Sequence, residues 1–135
     1  MTHQLLFAYL HTYSSADHTV NIPIRIRPNG AAPFVERAVL DTGAAISRFD
    51  KSILTKLGVT DITSGVPKKV YVADNTEYQG YVHQIQIEFL GLPMRIPAVF
   101  CAEWDGVNNL LGMEGFFQQM LAALDHARRR FYFSA

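Results

Sequence analysis

Cysteine is nearly missing from this sequence. Cys101 stands alone among 135 residues, so no intramolecular disulfide can form and nothing in the composition argues for an oxidising compartment. Its neighbours in Pro97-Ala98-Val99-Phe100-Cys101 are apolar, and the default for such a thiol is burial as a small hydrophobe. Net charge is missing too. Twelve basic residues balance 12 acidic ones, whereas a nucleic-acid binder carries a basic excess or a clustered basic face. The one basic run, Arg128-Arg129-Arg130, reads as the solvated start of a terminal strand. No apolar run has the length of a membrane span. Leu5-Leu6-Phe7-Ala8-Tyr9-Leu10 is stopped by His11 and has no Lys or Arg ahead of it, so it is also poorly built as a leader. A soluble cytoplasmic protein is expected, without nucleic-acid or membrane partners. The five histidines lack paired spacing, and neither Gly-x-Ser-x-Gly nor Gly-x-x-x-x-Gly-Lys-Ser/Thr occurs. Metal, serine-hydrolase and P-loop chemistry therefore drop out, and no metal or cofactor is expected. Cys101 has no activating neighbour that would make it a nucleophile.

What remains is an ordinary globular balance, 49% hydrophobic and 18% charged. The length suits one domain, residues 1–135, with a real core. Ile22, Ile24 and Ile26 alternate with Pro23, Arg25 and Arg27; Ile85, Ile87 and Phe89 alternate with Gln84, Gln86 and Glu88. Period two marks strands with one apolar face. Turn signals at Pro28-Asn29-Gly30, Asp74-Asn75, Leu90-Gly91 and Asp105-Gly106 separate the runs. Asp50 is placed to cap a short helix ending at Leu57, with Gly58 as its stop. Phe116, Phe117, Met120, Leu121 and Leu124 recur at three- and four-residue spacing, which predicts a second, amphipathic helix with a core stripe. Strand character returns at Arg129–Phe133. The fold class is mainly β, with one or two short helices.

The chemistry sits in Ala38-Val39-Leu40-Asp41-Thr42-Gly43-Ala44-Ala45-Ile46-Ser47. Asp and Gly are common turn formers, and a lone Asp-Thr-Gly means little. Here, however, apolar flanks on both sides would hold the turn in or near the interior. A carboxylate there carries a desolvation cost, and function is a frequent reason for it. A second stretch, Asn109-Leu110-Leu111-Gly112-Met113-Glu114-Gly115-Phe116, is by itself only a buried strand ending at a glycine.

Together, Asp-Thr-Gly-Ala after an apolar strand and Leu-Leu-Gly-Met some seventy positions later resemble the retropepsin family of aspartic proteases. The resemblance spans about Val20 to Phe133 and is closer to single-domain bacterial and eukaryotic members than to retroviral enzymes. It implies a closed β-barrel of the acid-protease type with Asp41 as the catalytic residue. Thr42, Gly43 and Ala44 would support it, and Leu111 and Gly112 would pack beneath its loop. It also implies that the hairpin from Lys68 to His83 is a flap, with Tyr71, Val72, Ala73, Asp74, Asn75 and Thr76 around its tip. Two positions depart from the retroviral pattern: an acid–arginine pair there is replaced by Ala45 and Met113, so neither charge is left buried alone. The termini form an interface sheet in retroviral members; here Leu5–Leu10 is either such an element or an extra core strand.

Aspartic protease chemistry needs two carboxylates around one water. Only one Asp-Thr-Gly is present, and Asp50, Asp61, Asp74, Asp105 and Asp125 read as cap, loop or turn acids. The second Asp41 must then come from another copy across a two-fold axis. The expected activity is endopeptidase cleavage of an extended polypeptide by a homodimer, using apolar side-chain pockets. The alternative is a catalytically silent peptide-binding or dimerisation module of the same fold.

Overall fold

A computed structural model of the chain describes residues 1–14 and 18–135. The alternating runs form strands as their periodicity requires. In β2 (Asn21–Ile26) the three isoleucines are buried while Pro23 and Arg25 face out. In β6 (Glu77–Phe89) the same holds for Ile85, Ile87 and Phe89. On the outer face Arg25 and Arg27 both reach Glu88, an exposed cluster whose worth is small beside the apolar burial behind it.

Six strands close into a ring. β2 pairs with β3 (Phe34–Leu40), which runs parallel to β8 (Asn109–Leu111). β8 meets the two-residue β4 (Ser47–Arg48), β4 runs parallel to β7 (Leu92–Cys101), and β7 forms a long antiparallel ladder with β6. β6 then returns to β2 through Ile24↔Phe89 and Ile26↔Ile87. Closure removes the free edges of an open sheet. β5 (Val66–Tyr71) pairs only with the first half of β6, so the β5–β6 hairpin projects from the ring. A separate three-stranded sheet has the order β1 (Tyr9–Thr12), β10 (Arg130–Ser134), β9 (Leu121–Asp125).

Phe89 ties the two sheets together. Its ring is fully buried and lies 5.0 Å from Phe116, 6.1 Å from Phe131 and 5.2 Å from Phe133. A second, smaller core of Ile46, Val99, Cys101 and Trp104, with Val70, Val72 and Tyr78 against it, roots the projecting hairpin. Burial, aided by the charge of Glu103, pushes the Cys101 thiol up to about 12, which keeps it protonated and inert.

The short helix α1 (Ser52–Lys56) forms, with Lys51 rather than Asp50 at its N-cap position and Leu57 as its C-cap. Asp50 Oδ1 accepts from the Ser52 amide and Gly58 takes a positive φ of 78° just past its end. The second expected helix does not form. Only a 3-10 turn exists at Phe117–Gln119; Met120 is already extended, and Leu121–Asp125 is strand β9. Five residues of that run pair with β10, from Leu121↔Ser134 to Asp125↔Arg130, and this long-range ladder overrides a helical spacing that is only two turns long. Leu5–Leu10 is not a core strand either: only Tyr9 and Leu10 are in β1, and Leu5, Leu6 and Leu10 are exposed. Among the described residues no helix is long and apolar enough to cross a membrane.

Truncating Phe89 to Ala is expected to destabilise the fold by about 3–5 kcal/mol. Val66→Thr, on the exposed face of β5, should stay within about 0.5 kcal/mol. Denaturant titration of both variants checks the contrast, and equal small losses would contradict the hub role of Phe89.

Candidate active site

β3 delivers the chain to Asp41 and then turns sharply. The Asp41 amide donates to the Leu111 carbonyl at 2.9 Å, continuing the β3–β8 ladder by one bond. The Ala44 amide then donates back to the Asp41 carbonyl at 3.1 Å. Within the turn the Gly43 amide donates to Asp41 Oδ1 at 2.9 Å. A Cβ built on Gly43 would lie 3.1 Å from that same oxygen, so glycine leaves the carboxylate room to keep this bond.

The Leu-Leu-Gly stretch packs directly against this turn. Leu111 is fully buried in β8. Gly112 sits so close to the Asp41 loop that a Cβ would come within 2.7 Å of the Ala44 oxygen and of the Ile46 carbonyl carbon. Both are backbone atoms that cannot swing aside. The Gly112 amide donates to Ser47 Oγ at 3.1 Å, the Met113 amide to the Ala44 carbonyl at 2.9 Å and the Glu114 amide to the Ala45 carbonyl at 2.8 Å. The two loops are thus joined by main-chain bonds at the positions where Ala45 and Met113 carry no charge.

A buried polar group braces this arrangement from the far side. Asp50 and Asn109 are both buried. Asn109 Oδ1 accepts from the Asp50 amide, and its Nδ2 donates to the Arg37 carbonyl of β3, each at 2.9 Å. Asp50 Oδ2 accepts from the Val107 amide at 2.9 Å. Burial works against the Asp50 charge, but the hydrogen bonds from Ser52, Val107 and Gly106 outweigh it and hold the carboxyl below its ordinary value.

A cleft of about 780 Å³ opens above the loop. Asp41, Gly43 and Ala44 form its floor with Leu110, while Tyr71, Val72, Ala73 and Asn75 line it from the hairpin. Asp74 and Thr76 belong to the hairpin tip without lining the cleft. The Asp74 side chain accepts from the Thr76 amide at 2.9 Å, and Asn75 takes a positive φ of 63°. Thr42 is exposed and turns to a different, apolar groove of about 540 Å³, shared with Leu40, Met113, Leu121 and Leu124. Tyr71 is exposed at the cleft, whereas Tyr78 packs edge-on to Trp104 at 5.9 Å.

Sequence reasoning missed Ser47, Arg48 and Asn109. Ser47 and Asn109 gave no signal beyond being polar residues in apolar surroundings. Arg48 lines the same cleft as Asp41; it directly follows the Asp-Thr-Gly stretch in sequence, but nothing local marks which way its side chain lies. Among the described residues no group of three His, Cys, Asp or Glu is arranged to hold a metal.

Comparison with known proteins adds two findings. A family model described as aspartyl protease matches residues 22–114, a span that begins in β2 and ends just past Gly112. Among solved structures, the chain resembles a retropepsin-like aspartic protease from Rickettsia conorii, with a TM-score of 0.67 and 18% identity. The match covers 93% of this chain and 88% of that one, and at this identity it is a likeness of fold. No curated protein sequence matches the chain.

Two variants test the support beneath Asp41. Ser47→Ala leaves the buried Gly112 amide without an acceptor and is expected to cost about 1–3 kcal/mol. Asp50→Asn should cost a similar amount at neutral pH, because the carboxylate accepts bonds that an amide only partly replaces. A depressed folded-state value stabilises above the unfolded one and is lost as pH falls through it. The Asp50→Asn deficit should therefore hold above pH of about 4 and shrink below it, read from urea denaturation across pH. A deficit that does not change with pH would contradict the ionised Asp50.

Proposed function

The chain belongs to the aspartyl protease family, and from that premise we propose that it is an endopeptidase whose active unit is a homodimer with one Asp41 from each copy. The observation that carries this reading is the placement of Asp41, held by the Leu111 and Gly43 bonds at the floor of a cleft with the β5–β6 hairpin on its other wall. One chain supplies one carboxylate in the Asp-Thr-Gly context, and the chemistry needs two.

In the dimer the two Asp41 carboxyls share one proton, because like charges so close together cannot both ionise. The ionised member removes a proton from a water held between them, and the resulting hydroxide oxygen attacks the scissile carbonyl carbon. The protonated member donates to the carbonyl oxygen and neutralises its developing charge. A proton then passes to the leaving amide nitrogen as the C–N bond breaks. The two titration steps belong to the pair. Substrate lies extended in the cleft and bonds through its main chain. The β5–β6 hairpin acts as a flap, with Tyr71, Val72, Ala73 and Asn75 facing the bound strand and Asp74 and Thr76 shaping the tip.

The second copy fits the apolar side of the loop. Thr42, Met113 and the exposed Leu121 and Leu124 surround the groove there. The outer edge of β9 has no strand partner among the described residues. In this dimer Thr42 hydrogen-bonds across the axis and braces its counterpart.

Asp41→Asn is expected to lower peptide hydrolysis by at least about a hundredfold while leaving the fold and its denaturation midpoint close to wild type. Specific activity of the wild-type chain should fall on dilution as the dimer dissociates. Cleavage that persists in Asp41→Asn would remove Asp41 from the chemistry. A well-folded wild-type dimer that binds peptides but cuts none of a random library across acidic to neutral pH would favour the silent binding module.

A further inference from the structure

We propose that Arg48 forms a subsite for a carboxylate-bearing substrate side chain, which makes this cleft selective for peptides with Asp or Glu close to the scissile bond; the inference rests on the endopeptidase reading above. Arg48 ends the short strand β4, in register with Leu110 on one side and Val99 on the other. Asp41 and Arg48 line one cleft together with both of those residues. The arginine is therefore one strand over from the ladder that anchors Asp41.

Its surroundings fix its position but do not satisfy its charge. The guanidinium carbon lies 4.9 Å from the centre of the buried Trp104 ring, a stacking contact that orients the planar group. Nε is buried and has no hydrogen-bond partner. Among the described residues no carboxylate forms an ion pair with Arg48, whereas Arg25 and Arg27 share Glu88, Lys56 takes Glu36, Lys69 takes Glu77 and Arg128 takes Asp125. One of its donors, Nε, is thus left without an acceptor. Leaving such a charge without a counter-ion is unfavourable, and a ligand that supplies the carboxylate removes that penalty.

The rest of the cleft points the same way. Lys68 and Lys69 line its hairpin wall, and among the described residues Asp41 is the only acidic one in the lining. With Lys69 paired to Glu77, Arg48 and Lys68 leave the lining with a positive bias that favours acidic peptides. A strand bound across Asp41 presents alternate side chains to one wall. A Glu or Asp at such a position can accept charge-assisted hydrogen bonds from the guanidinium. Two-fold pairing gives one Arg48 on each side of the scissile bond.

The test uses peptide pairs differing only in Glu or Gln, scanned over the positions flanking the cleaved bond. Wild type should favour Glu over Gln in kcat/KM by about tenfold or more at one or more of those positions. Arg48→Met, which keeps the stem over Trp104, should abolish that ratio, and Arg48→Lys should keep part of it. Binding of the same pairs to Asp41→Asn, with and without Arg48→Met, reads the subsite independently of turnover. Equal treatment of Glu and Gln by wild type at every position, or a preference that survives Arg48→Met, overturns the subsite. If wild type cuts nothing while Asp41→Asn binds Glu peptides in an Arg48-dependent way, the subsite stands and the endopeptidase reading falls.

Discussion

The bond from the Asp41 amide to the Leu111 carbonyl sets the rest of the site. It extends a parallel ladder by one step and fixes where β3 ends and the turn begins. The Ala44 amide closes the turn onto the Asp41 carbonyl, and the Met113 and Glu114 amides bond to the Ala44 and Ala45 carbonyls, joining two loops about seventy positions apart in sequence into one mesh. Backbone donors and acceptors have little freedom and must be satisfied when buried. A carboxylate hung on such a mesh is preorganised without any side chain being dedicated to holding it. The glycines follow from the same constraint. Gly112 is demanded by the closeness of Ala44 and Ile46, and Gly43 by the need to leave space beside Asp41 Oδ1.

The polar group behind the mesh explains how so short a strand as β4 can carry part of the cleft wall. Two residues make few ladder bonds. Ser47 answers Gly112, and the next turn is secured by Asp50, Asn109 and Val107. Buried polar groups of this kind are worth having only when every member is partnered. Here Asn109 spends its oxygen on the Asp50 amide and its nitrogen on the Arg37 carbonyl. Arg48, between these well-satisfied neighbours, is the exception: its residue lines the cleft, and its buried Nε has no partner.

Much of this was legible in the residues themselves. The period-two runs at Ile22–Ile26 and Ile85–Phe89 gave strands with the right faces, because alternation is decided locally. The Asp41 and Gly112 stretches resembled a family, and the fold and the family match agree with that resemblance. Phe116–Leu124 misled because its apolar spacing suits a helix, while the decision lay with β10, whose pairing partners cannot be seen within a short window. Of the two readings of Leu5–Leu10 only the core strand is overturned: apolar residues there are exposed, and hydrophobicity alone does not specify burial. Arg48 was illegible because its place depends on the fold stacking it on Trp104 and bringing it to the cleft that Asp41 also lines. Spacing along the chain carries no trace of either.

One question stands above the others, whether two chains build one active site. It is answered most directly by titrating wild-type chain with a growing excess of Asp41→Asn chain under conditions where subunits exchange. If each site needs an Asp41 from both copies, mixed dimers are dead and wild-type activity falls toward zero as the excess grows. Activity that stays constant per wild-type chain would contradict the shared pair and place the whole reaction within a single copy.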